Sequence, residues 1–172
     1  MRAVRERLVA LVLALTTTGV LVTGCGDPKV SAEQGAQDTE SSRAQVEEAM
    51  REVADVVAGV GLRLGKLTGG WSVCTAEPPS MEYDAGGGGE PGELSPAEMI
   101  AQVTDALKTA GWTVENAGTE PRPYGVLTRD DLRASVGESR RYPGHVTVGV
   151  VGPCIDTARE QDALLGETYD VS

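Results

Sequence analysis

Between Gly111 and Trp112 the spacing of apolar residues changes from a helical period to a period of two. Upstream, Val46, Ala49, Met50, Val53, Val56, Val57 and Val60 recur at helical spacing behind Ser42-Arg43-Ala44-Gln45, which has the form of a capping box. Glu47, Glu48, Arg51, Glu52 and Asp55 fall on the outer face of that helix. Gly59, Gly61 and Gly65 weaken the run, so it closes near residue 60. A second helix opens on Ser95-Pro96-Ala97-Glu98, with an N-cap, Pro in the first turn and a capping Glu. Met99, Ile100, Val103, Ala106, Leu107 and Ala110 form its apolar stripe, and Gly111 ends it.

Downstream, four short runs alternate: Trp112 and Val114; Val126 and Thr128; Leu132, Ala134 and Val136; Val146, Val148 and Val150. Each set marks one face of a strand, and Asp130-Asp131 and Tyr142-Pro143-Gly144 supply turns. Trp71 to Thr75 reads as an earlier strand, and Asp156 to Leu165 as a short final helix capped by Asp156. The expected class is α+β: a two-layer sandwich in which two main helices cover one face of an antiparallel sheet.

The start of the chain reads as an address rather than as part of this domain. Arg2, Arg5 and Arg7 precede the uncharged run Leu8 to Val22, which is shorter than the roughly 20 residues of a membrane span but suits a signal-peptide core. Leu21-Val22-Thr23-Gly24-Cys25 resembles the bacterial lipobox. The resemblance implies cleavage before Cys25, a diacylglyceryl group on its thiol and anchorage on the extracytoplasmic face of the cell membrane. Residues 1–24 are then a lipoprotein signal peptide, 25–41 a lipidated N-terminus and flexible tether, and 42–172 a single domain. Within it, Pro78 to Pro96, with Gly86-Gly87-Gly88-Gly89, is expected to be a mobile loop.

The 172 residues carry 15 Lys and Arg against 26 Asp and Glu. Discarding the leader leaves 12 basic and 25 acidic residues, a net −13. Nucleic acid is not an expected partner of so acidic a body, because that affinity rests on clustered basic charge. With Cys25 committed to lipid, Cys74 and Cys154 remain as a pair in an oxidising compartment. A disulfide is the expectation, with two free thiols or a redox couple as alternatives. Closing an 80-position loop would stabilise the fold by roughly 4 kcal/mol.

A Trp71-x-x-Cys74 strand, a helix running into Gly111-Trp112, a strand meander and the closing Gly152-Pro153-Cys154 resemble the small single-disulfide lipoproteins of actinobacteria, of the LppA-like type. The likeness spans about residues 71 to 154. It is architectural and implies no catalytic residue.

No catalytic, cofactor or metal motif emerges from the residues themselves. His145, the lone histidine, is opposite in parity to Val146, Val148 and Val150, which puts it facing solvent at a strand start. Gly65-Lys66 lacks the glycine and the hydroxyl residue of a phosphate loop, and no nucleophile elbow is present. One asymmetry remains: residues 122–141 hold five Arg and three acids. Arg129 and Arg133, read as lying off the apolar parity, are expected on the uncovered sheet face. With Arg140 and Arg141 they form a candidate patch for an anion or a partner, against which stands simple pairing with local carboxylates. The expectation is a non-enzymatic, lipid-anchored envelope module that binds an envelope protein, wall polymer or lipid. The alternative is a carrier holding a small apolar molecule between helices and sheet.

Overall fold

A computed structural model describes residues Val30–Ser172. Helix α1 (Ala32–Gly59) is followed by strands β1 (Thr68–Ala76) and β2 (Pro79–Gly89), then helix α2 (Pro96–Thr109). Strands β3 (Thr113–Gly118), β4 (Tyr124–Arg129), β5 (Leu132–Glu138) and β6 (Val146–Val151) form the meander. A short β7 (Ile155–Asp156), a 3₁₀ helix (Arg159–Leu164) and β8 (Tyr169–Asp170) complete the chain. The sheet is antiparallel in the order β3-β4-β5-β6-β2-β1-β8, with β7 pairing the start of β2. Both helices pack on one face, sharing a core with Met81, Tyr83, Leu127, Ala134, Val136, Val146, Val148 and Val150. The α+β sandwich read from the sequence is therefore the fold.

Helix α2 begins as its residues dictate, with both halves of the Ser95–Glu98 capping box formed. Helix α1 begins ten residues before Ser42. Ser31 is its N-cap and accepts from the Gln34 N–H at 3.1 Å, so residues 32–41 are helix rather than tether. This first stretch is held by packing at Gly35, whose missing side chain leaves room for Gln161 of the 3₁₀ helix. Gln161 also donates from Nε2 to the Ala32 carbonyl at 3.3 Å. The expected final helix is the 3₁₀ helix only. Asp156 is instead in β7, opposite Ser80, because the segment after Cys154 continues the sheet.

The larger correction concerns residues 78–96. Pro79–Gly89 is a central strand, not a loop, and the four glycines pair with Val146–Gly149 of β6. On their other side the segment leaving α1 passes in close contact, and the Gly65 N–H donates to the Gly88 carbonyl at 2.9 Å. A Cβ at Gly89 would collide with the Arg63 carbonyl oxygen. Glycine is required here for backbone to approach backbone, not for mobility.

Candidate functional site

Cys25, the expected lipid attachment point, lies outside the described residues. Cys74 and Cys154 are joined by a disulfide, with Cα atoms 6.2 Å apart. Cys74 shares the parity of Ser72, opposite Glu82 on the uncovered face, and the register of β1 on β2 shifts around it, between Val73 and Thr75. Glu82 lies beside both sulfurs, which are bonded to each other and so are not thiolate ligands for a metal.

The four candidate arginines do not form one patch. Arg129 is on the helix side of the sheet. Its guanidinium lies 4.6 Å from the centre of the Trp112 ring and pairs with Glu52 of α1 at 2.6 Å. The inward residues of β4 are Gly125 and Leu127, not Val126 and Thr128, because Gly125 seats Thr104 of α2. That one-residue change of parity moves Arg129 to the opposite face. Arg133 is on the uncovered face as expected, level with Thr128, Val151 and Asp84 on successive strands. Arg140 lies in the β5–β6 turn with Arg141, past the end of β5 and beyond about 17 Å of strand from Arg133. Arg141 stands over Tyr142, 5.5 Å from its ring centre. His145 is half-buried beside that ring, with Nε2 3.7 Å from Glu90.

The uncovered face mixes polar side chains with Val126 and Val151. Thr128, Arg133, Ser135, Thr147, Glu82 and Asp84 stand around Gly86 and Gly149, which are opposite each other at its middle. Desolvation against the sheet, then the charge of Glu82, pushes the Asp84 carboxyl above its usual range.

One polar cluster has no counterpart in the sequence reading. Tyr83, fully buried on β2, donates to Oε1 of Glu47 at 2.9 Å, and the same oxygen accepts from Nε of Arg43 at 2.7 Å. The Arg43 guanidinium stacks on Tyr169 at 3.9 Å, while Trp71 packs on the Tyr83 ring at 5.1 Å. Burial first, then the Glu47 hydrogen bond and charge, raises the Tyr83 phenol far above 10.0. Glu47 reads from the sequence as an outer-face residue. Only its spacing of four from Arg43 hints at a pair.

Large side chains, Tyr83, Met50, Leu62, Met81, Met99, Leu107 and Leu127 among them, fill the space between helices and sheet. Two clefts open at the margins. One of about 370 Å³ lies between the β1–β2 hairpin and the 3₁₀ helix. The other, of about 310 Å³, lies between α2 and the β3–β4 connection.

A two-layer domain with one disulfide across the first strand and the end of the meander is the architecture of a small secreted or envelope protein. The family model described as "Putative lipoprotein LppJ" matches residues 38–172, and the chain belongs to that family. As a lipoprotein it is associated with a membrane through lipid. No helix among the described residues is long and apolar enough to cross one. Comparison with curated proteins and with solved structures finds no match.

Proposed function

We propose that this lipoprotein is a non-enzymatic interaction module of the cell envelope, held on the extracytoplasmic face by a diacylglyceryl group on Cys25. The observation that supports it is the uncovered sheet face, where Arg133 stands exposed between Thr128 and Val151. Arg133, Arg140 and Arg141 enter none of the ion pairs found among the described residues. Only six positions separate Cys25 from the helix cap Ser31, at most about 20 Å of chain. The start of α1 is therefore the membrane-proximal end. The β5–β6 turn lies at the far end of α1, some 42 Å along the helix, since Val146 pairs Gly89 beside the segment leaving α1.

The test is photo-crosslinking on intact cells from Ser135 or Thr147, compared with Glu48 on the outer face of α1. The same envelope partner should be captured from both sheet positions and lost with Cys25→Ser or with Arg133→Glu. Equal capture from Glu48, or none from the sheet positions, would refute an interaction through this face.

A second reading, carriage of a small apolar molecule, draws on the cleft beside α2, lined by Ala97, Ile100, Ala101, Pro123 and Tyr124. Native mass spectrometry of the membrane-extracted protein should then show a bound lipid that Ala101→Trp expels. An empty spectrum would dismiss this reading.

A further inference from the structure

Among the described residues, no strand lies beside the outer edge of β1 beyond Trp71. β8 covers only Thr68 and Gly69, and Leu165 bridges Trp71. The Gly152 N–H donates to the Tyr83 carbonyl, so Tyr83 turns its backbone groups toward β6 and away from β1. Its cross-strand partner Trp71 therefore turns its own groups outward, and by alternation so does Val73. Among the described residues, no backbone hydrogen bond reaches those outward groups of Val73. The Val73 side chain is 52% exposed. It lines the 370 Å³ cleft with Met81, Pro79, Ala76 and Leu165, so a free strand edge and an apolar recess adjoin.

The rim of the cleft carries Glu77 and Asp162 against Arg159, and Arg159 pairs with Glu77 at 3.0 Å. The rim thus keeps a surplus of negative charge, on a body of net −13 once residues 1–24 are discarded. That balance disfavours a second copy of the same acidic edge and favours a basic segment. The opposite edge of the sheet is blunted. β3 is interrupted by a bulge between Val114 and Asn116, where Glu115 projects. The bulge of β1 falls between Val73 and Thr75, so the outward backbone groups free to pair before it are those of Val73.

We propose that the β1 edge from Val73 to Ala76, with the adjoining cleft, binds an extended segment of an envelope protein as an added strand. An aliphatic side chain of that segment enters the cleft, and flanking Lys or Arg residues meet Glu77 and Asp162. This rests on the interaction-module reading and adds to it a second contact surface, at the sheet edge, for a segment of basic and aliphatic character.

The experiment titrates the mature chain, by NMR, with a blocked peptide alternating lysine and leucine. Three further peptides serve as comparisons: its glutamate–leucine counterpart, the lysine peptide N-methylated at alternate amides, and the lysine peptide N-methylated at the other set. Saturable shifts at Val73 to Ala76 and Leu165 are expected. One methylated set should bind about tenfold more weakly, as loss of one or two net hydrogen bonds implies. Val73→Thr, which keeps the β-branched shape and adds no charge, should weaken binding and leave the thermal midpoint unchanged, since Val73 is half exposed. Equal binding of both methylated peptides would reduce the effect to charge and overturn the proposal. So would equal binding of the glutamate peptide, shifts confined to the uncovered face, or perturbation of the cleft by phosphatidylglycerol vesicles but not by the peptide. Crosslinking from Ser135 reads the interaction module independently of this edge, so failure of the peptide leaves that result standing.

Discussion

The phenol of Tyr83 donates a 2.9 Å hydrogen bond to the carboxylate of Glu47, tying the central strand of the sheet to the helix that covers it. Gly69, beside Tyr83 on β1, makes this possible, because a Cβ there would overlap the phenol oxygen. Arg43 closes the contact from α1 and carries it to Tyr169 of β8.

Tyr83→Phe should therefore cost about 1.5–3 kcal/mol in urea denaturation, the range for a hydrogen bond to a charged group. The buried phenol is raised above its usual 10.0, so the folded state holds its proton more tightly than the unfolded chain. That stability is complete below pH 10 and is lost as pH rises beyond it. Wild type should lose stability above pH 10 more steeply than Tyr83→Phe. Parallel alkaline profiles would show that Tyr83 contributes nothing to the loss.

The glycine strand makes an opposite pair of expectations. Gly89→Ala forces a side chain against the Arg63 carbonyl and should destabilise the fold by about 1–3 kcal/mol through strain or displacement of the 61–67 segment. Gly59→Ala, at the end of α1 with nothing near its added methyl, should stabilise by about 0.4–1 kcal/mol. Thermal melts of the two variants check both signs. A tolerated Gly89→Ala would return the tetraglycine run to the status of a mobile loop.

Arg129 and Arg133 should now behave differently. Arg129→Glu exposes Trp112 and sets a carboxylate against Glu52, and should cost about 1–2 kcal/mol. Arg133→Glu changes only an exposed position two strands from Asp84 and should stay within about 0.5 kcal/mol of wild type. Equal losses in chemical denaturation would contradict the assignment of the two residues to opposite faces.

What could be read in advance follows from where each element gets its stability. α2, β5 and β6 are legible because their own side chains carry the caps and stripes, whereas β3 buries none of its residues and β4 turns the opposite parity inward. β2 is not legible, because Gly86–Gly89 are held as strand by the backbones of β6 and residues 61–67 rather than by side chains of their own. The first ten residues of α1 show no apolar period. They are fixed at Gly35 by Gln161, a contact between positions 126 residues apart. The inward parity of β4 rests on Gly125 and Leu127, and a glycine carries no hydropathic signal, so the apolar alternation alone points Arg129 to the wrong face. Tyr83 and Glu47 are 36 positions apart, and nothing local marks either as the other's partner.

The disulfide gives the last expectation. Cys74 and Cys154 close a loop of 80 positions, and loop-closure entropy in the unfolded chain sets the bond's contribution at roughly 4 kcal/mol. Guanidinium denaturation of the Cys74→Ser, Cys154→Ser double variant should show a loss of that order without a shift of the native far-ultraviolet spectrum. The bond sits at a bulge on the uncovered face, outside the core built by α1, α2 and the meander, so that core should still form. A variant that loses its native spectrum altogether would mean that the staple, rather than the core, is what makes the domain fold.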